Sequence, residues 1–94
     1  MEIICVSLEI KIADEWETII YYDNHHDGKL HRHKKIAYGD FSDIVDYEGI
    51  KKHGSFTTLL NWAKHDIQNN YLTYKRKFID RNKKRLVNID VEEF

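Results

Sequence analysis

The stretch from Tyr22 to His33, YDNHHDGKLHRH, decides how this chain folds. At its centre lies Asp27-Gly28, a dipeptide that is the strongest short-range signal for a two-residue β-hairpin turn. Four of the six histidines fall within this stretch. Imidazole titrates close to neutral pH, so it suits proton transfer and metal binding. The stretch therefore predicts two antiparallel strands that carry histidines side by side.

The flanking sequence extends this hairpin into a sheet. Apolar and polar residues alternate over 2–12, which predicts a half-buried strand, and 13–15 predicts a short turn. Further strands are predicted over 16–24, 29–38 and, more weakly, Phe41 to Tyr47. A polar loop is predicted between Gly49 and Gly54.

A long amphipathic helix follows the sheet. Ser55 is suited to the N-cap, and an apolar stripe then recurs at spacings of three and four for some 25 residues. Residues 86–91 alternate again, which predicts either a final edge strand or a tail that orders against a partner. The prediction is a single α+β domain over residues 1–94, with a meander of three to four antiparallel strands packed on one long C-terminal helix.

Composition narrows the class of protein. The net charge of −1 predicts no strong whole-molecule attraction to nucleic acid or membrane, but residues 75–85 carry seven cations against Asp80 alone. Cys5 is the only cysteine, so no internal disulfide can form. The N-terminal residues do not resemble a signal peptide, and no apolar run approaches the roughly 20 residues that span a bilayer. These features predict a cytoplasmic protein without a membrane partner.

The turn length sets which side chains meet. With a two-residue loop, the pairs on one face would be His26 with Lys29, Asn24 with His31, and Tyr22 with His33. On the other face, Asp23 would lie opposite Arg32 as an orienting ion pair. A one-residue slip would scatter this set across both faces of the sheet.

A surface of this kind suits three chemistries. Histidines with a tyrosine and cations can cleave RNA without a metal, by removing a proton from the 2′-hydroxyl and protonating the leaving oxygen. His31-x-His33 with His26 can instead hold a metal. The same residues can also bind phosphate without chemistry, and a solvated, inert face remains the alternative to all three.

The order of these elements resembles a known family. Asp23-Asn24-x-His26 precedes His31-x-His33, and a helix started by Ser55 follows with Trp62, Asp66-Ile67-x-x-Asn70-Tyr71 and Tyr74-Lys75-Arg76-Lys77-Phe78. Over roughly residues 16–80, this order is similar to the small prokaryotic TumE-like toxins. The resemblance implies a toxin encoded beside an antitoxin with a helix-turn-helix domain, and RNA or translation as the target. His25, which precedes His26, departs from the family pattern.

The leading hypothesis is a metal-independent ribonuclease. His26 and His33 are the candidate acid and base, His31 positions them, and Tyr22 or Tyr38 binds the phosphate or shuttles a proton. The resemblance adds Asp23 and Asn24 to these candidate catalytic residues.

The backbone of the RNA would be held by cations outside the histidines, namely Lys29, Lys35, Lys75, Arg76 and Arg81. No cofactor or metal is assigned. The expected partners are RNA or the ribosome, a cognate helix-turn-helix antitoxin and, from an exposed edge strand, a second copy of the chain. The rival hypotheses are a non-catalytic interaction or inhibitor module and a histidine-based metal-binding protein.

Overall fold

Four antiparallel strands form one sheet on which a single helix packs. The computed structural model describes residues 3–24, 29–39 and 44–94. The strands are β1 (Val6–Ile12), β2 (Glu15–Asp23), β3 (Leu30–Lys35) and β4 (Ile44–Lys52), and the helix is α1 (Phe56–Arg81). Neighbours in the chain are neighbours in the sheet, in the order β1-β2-β3-β4. The predicted α+β meander on one C-terminal helix is confirmed.

Helix α1 begins and ends as its sequence suggests. The Ser55 hydroxyl accepts a hydrogen bond of 3.2 Å from the backbone N–H of Thr58, which satisfies one of the free donors of the first turn. Twenty-six residues follow before Asn82 caps the end. Leu59, Ala63 and Phe78 are the apolar residues of the helix that are buried against the sheet.

A bulge in the first hairpin enlarges the apolar face of the sheet. Leu8 pairs with Ile20 but Glu9 pairs with Thr18, so Ile19 is an extra residue in β2. In a bulge, two residues of one strand oppose one residue of its partner. Consequently Ile19 and Ile20, although adjacent in the chain, are both almost completely buried.

The register of the second hairpin differs from the prediction. Asp23 pairs with His31 and Tyr22 pairs with Arg32, whereas a two-residue turn would have paired Tyr22 with His33. The observed pairing leaves an odd number of residues between partners, which a simple two-residue turn cannot close. The predicted turn, Asp27-Gly28, lies outside the described residues, as do His25 and His26.

The fourth strand also differs from its prediction. The backbone remains extended through Gly49 as far as Lys52, where a polar loop was predicted. Its pairing with β3 shifts between His31 and Arg32, so β4 contains extra residues at this point. This irregular pairing hides the strand from a search for strict alternation.

The segment after the helix returns to the first hairpin. The backbone N–H of Ala13 donates to Asp90, and that of Glu92 donates to Lys11, at 2.8 and 2.9 Å. Val91 forms an isolated bridge with Ile12, so residues 89–92, the C-terminal strap, replace the predicted final strand. Among the described residues, no helix is long and apolar enough to cross a membrane.

Candidate functional site

Two histidines, a tyrosine and an aspartate form a cluster on the sheet face opposite α1. Because Tyr21 pairs with His33 and Asp23 with His31, these four side chains share one face, here called the histidine face. The rings of Tyr21 and His33 stack with centroids 4.4 Å apart and planes 11° apart. The ring centroids of His31 and His33 are 6.4 Å apart.

The imidazole of His33 lies against a carboxylate. Its Nε2 atom is 3.0 Å from Oδ2 of Asp23, and the two side chains are 12% and 15% exposed. The direction of the contact does not satisfy a hydrogen bond, and within the described structure Oδ1 of Asp23 has no donor. Catalytic hydrogen bonds are often poorly aligned until substrate binds. Oδ2 of Asp23 can therefore hold the imidazole in place, while Oδ1 is left to accept a hydrogen bond from another group.

The register removes two predicted site residues from the histidine face. Tyr22 is fully buried and turns toward α1, where its hydroxyl donates to Asp66. Asn24 is buried as well, and its Oδ1 accepts a hydrogen bond of 3.0 Å from the backbone N–H of Ile4. The predicted pairing of Asn24 with His31 and of Tyr22 with His33 is therefore wrong. His26, also predicted for this site, lies outside the described residues.

Asp66 organises the polar contacts between α1 and the sheet. Its Oδ2 accepts from Arg32 Nη1 and from the Tyr74 hydroxyl, each at 2.9 Å, and its Oδ1 accepts from Asn70 at 3.1 Å. Arg32 also donates to the oxygen of Tyr74 at 2.6 Å. The ion pair predicted between Asp23 and Arg32 is thus wrong, because Arg32 faces the helix and pairs with Asp66.

These contacts shift the pKa values of the groups around Asp66. Burial, together with the hydrogen bond to Asp66, raises the pKa of Tyr74 to about 12 and that of Tyr22 further above its usual value. Burial acts to lower the pKa of Arg32, but the hydrogen bond to Asp66 and the nearby negative groups outweigh it, so the net shift is upward. The tyrosines therefore stay neutral and the arginine stays charged.

The predicted RNA-binding cations do not form one group with the histidines. Lys35 lies two residues after His33 on β3, so alternation puts it on the histidine face. Lys35 pairs with Glu17, and Lys75 pairs with Glu92 at 3.1 Å. Arg76 and Arg81 belong to α1, which covers the other face of the sheet. Lys29 is half-buried beside β3. The basic segment of the helix is therefore separate from the histidines.

The sequence contained a signal for Asp66 that the predictions missed. Asp66, Asn70 and Tyr74 recur at a spacing of four, so they line one side of α1. A carboxylate that lies next to the apolar stripe is partly buried, so it requires a hydrogen-bond donor or a cation from the sheet. The predicted pairing of Tyr22 with His33 put the neighbouring Tyr21 on the other face, whereas Tyr21 is the residue that pairs with His33.

No group of three or more histidine, cysteine or acidic side chains that could hold a metal is found in residues 3–24, 29–39 and 44–94. A histidine-based metal site is thus without support in this part of the chain.

The fold and its polar clusters define a small α+β domain in which an antiparallel meander carries ionisable groups on both faces. Residues 1–84 match the family described as a domain of unknown function (DUF7718), and the chain belongs to that family. No curated protein matches the chain significantly, and neither does any solved structure.

Proposed function

We propose that this domain is a metal-independent endoribonuclease of the toxin type, which uses His33 and His31. The single observation that carries the proposal is the position of His33, held 3.0 Å from the Asp23 carboxylate and stacked on Tyr21. An imidazole oriented by a carboxylate is a common arrangement of a catalytic base. The resemblance to TumE-like toxins supports RNA or translation as the target.

The proposed reaction is transfer of the phosphoryl group within the RNA. His33 removes the proton of a ribose 2′-hydroxyl, whose oxygen attacks the adjacent phosphorus. His31, as the imidazolium, gives a proton to the departing 5′-oxygen. The products are a 2′,3′-cyclic phosphate and a 5′-hydroxyl end. The separation of 6.4 Å between the two rings suits one phosphate, with a hydrogen bond of about 3 Å on each side.

The test is cleavage of a labelled RNA oligonucleotide by the purified protein, with and without chelator. His33→Ala is expected to lower the rate about 100-fold or more, since general acid–base catalysis contributes about 10²–10⁴-fold. His65→Ala, an exposed histidine on α1, serves as the matched control and should cleave normally. A 2′-deoxy substitution at the cleavage site should block the reaction.

Full cleavage by the His33→Ala protein would refute the assignment. Loss of cleavage on adding chelator would move the proposal to a metal mechanism. Cleavage that occurs only with added ribosomes would make the ribosome part of the substrate. The same variants, assayed with ribosomes present, then test whether His33 is the catalytic base.

The biological setting follows from the resemblance alone. We propose a cytoplasmic toxin whose partner is an antitoxin with a helix-turn-helix DNA-binding domain, with a second copy of the chain as a further partner. Trp16 and Val87, which are 62% and 64% exposed, are apolar side chains that a partner could cover. Induced expression should stop growth, and both His33→Ala and co-expression of the neighbouring antitoxin gene should restore it.

A further inference from the structure

A cleft between α1 and the sheet has the features of an anion site. It lies beside the first hairpin's bulge, and its apolar wall is formed by Ile19, Ile20 and Phe78. The cavity volume is about 40 Å³. Because one water needs about 10–15 Å³ measured in this way, the cleft has room for about three waters, or for one tetrahedral oxyanion.

Cations dominate the polar lining of this cleft. Arg32 and Lys34 enter from β3, Lys77 and Arg81 enter from α1, and the hydroxyl of Tyr74 completes the lining. None of the described residues that line the cleft is acidic. Cations that are 43 or more residues apart in the sequence, on β3 and on α1, therefore line one small volume.

Only part of this positive charge is neutralised by the protein. Asp66 pairs with Arg32 from outside the cleft. Neither Lys77 nor Arg81 takes part in an ion pair within the described structure. Burial lowers the pKa of Arg81, so the surroundings penalise its charge without a compensating carboxylate. An anion in the cleft would remove this penalty.

The end of a helix attracts cations without any ligand, because its carbonyls carry partial negative charge. That effect explains why Arg81 occurs in the last turn of α1. It does not explain why Lys77, one turn earlier, and Lys34, on a strand, line the same cavity. The strand residues lie on the sheet face opposite His31 and His33, so the cleft is separate from the histidine face.

We propose that this cleft binds a single phosphate group, through Lys77 and Arg81 from the helix and Arg32 and Lys34 from the sheet. Guanidinium groups match the geometry of phosphate with paired hydrogen bonds, and lysines add charge. The phosphate can come from a free ion, from a nucleotide or from the end of an RNA chain. This inference stands on the cleft alone and does not depend on ribonuclease activity.

Isothermal titration calorimetry with inorganic phosphate tests the site, with chloride at equal ionic strength as the reference. The wild-type protein should bind one phosphate per chain. The double variant Lys77→Gln/Arg81→Gln should bind it at least about tenfold more weakly, since each lost charged hydrogen bond is worth a similar factor. The double variant Arg76→Gln/Lys83→Gln removes the same charge from residues that do not line the cleft and should bind within about twofold of wild type.

The competing outcomes are separable. Absence of phosphate binding above the chloride reference overturns the proposal, and so does an equal loss in both double variants, which would indicate general charge attraction. All four substituted side chains are exposed, and circular dichroism verifies that each variant is folded. An RNA oligonucleotide with a 5′-phosphate, compared with one ending in a 5′-hydroxyl, then distinguishes an RNA end from free phosphate. Failure of ribonuclease activity leaves these results unaffected.

Discussion

Replacing Asp66 by alanine is expected to destabilise the domain severely. The carboxylate accepts hydrogen bonds from Tyr22, Arg32 and Tyr74, all of them from groups that are shielded from water. The side chains of Arg32 and Asp66 are only 9% and 12% exposed. Removing one partner of such a pair leaves the other charge buried and alone, at a cost of about 3–5 kcal/mol.

This loss is large compared with the stability of a domain of this size. At about 0.05–0.15 kcal/mol per residue, the 94 residues have a free energy of unfolding of about 5–14 kcal/mol. Asp66→Asn keeps an acceptor oxygen but loses the charge, so we expect it to lower the free energy of unfolding by about 1.5–3 kcal/mol. The control is Asp80→Asn, in an exposed pair with Lys83 at 3.7 Å, with an expected change below about 0.5 kcal/mol.

The assay is urea unfolding followed by tryptophan fluorescence, because Trp62 packs edge-on against Tyr22 beside this network. The double variant Arg32→Ala/Asp66→Ala should lose less than the sum of the two single variants, since neither charge is then left unpaired. An Asp66→Ala cost below about 1 kcal/mol, or additive losses in the double variant, would refute the reasoning.

The remaining predictions concern other buried polar groups. Asn82→Ala should lower the free energy of unfolding by about 2–4 kcal/mol, measured by urea unfolding. Asn82 is 3% exposed, donates to two backbone carbonyls and accepts from one backbone N–H. A loss below about 1 kcal/mol would count against this prediction. The raised pKa values of Tyr22 and Tyr74 favour the neutral phenols in the folded state, so the stability they contribute is fully present below about pH 10 and is lost as the pH rises toward 12. Tyrosinate absorbance should then rise in two phases, the second coinciding with unfolding, and a single phase near pH 10 would contradict the buried network. Glu92→Gln should weaken the contact of the C-terminal strap with Lys75 and increase amide exchange at residues 89–92, while exchange in the core of α1 remains unchanged.

The parts of the fold that repeat a local pattern were predictable. Strict alternation predicted a strand over 2–12, of which Val6–Ile12 forms β1, and Ser55 followed by an apolar stripe located α1 almost to the residue. The register between β2 and β3 was not predictable, since it depends on how the loop closes and not on the side chains of the strands. An error of one residue there moved Tyr22 away from His33 and brought Tyr21 to it.

The candidate site was predicted in part for the same reason. His31 and His33 share a face in either register, because they lie two residues apart on one strand. The residues opposite them depend on the pairing, so Tyr21 and Asp23 lie where Tyr22 and Asn24 were predicted. The contact of Arg32 with Asp66 joins residues 34 positions apart, and no local pattern encodes it.

The C-terminal strap has a consequence for the order in which the domain forms. Its hydrogen bond between Lys11 and Glu92 joins positions 81 residues apart, so it closes a loop that contains nearly every other contact. Loop closure is entropically costly, and the cost is smallest when the intervening chain is already compact. The strap should therefore attach last, to a hairpin already folded, and detach first. Until the strap attaches, the C-terminal end of β1, around Lys11, presents unpaired backbone groups that could pair with the same strand of another molecule.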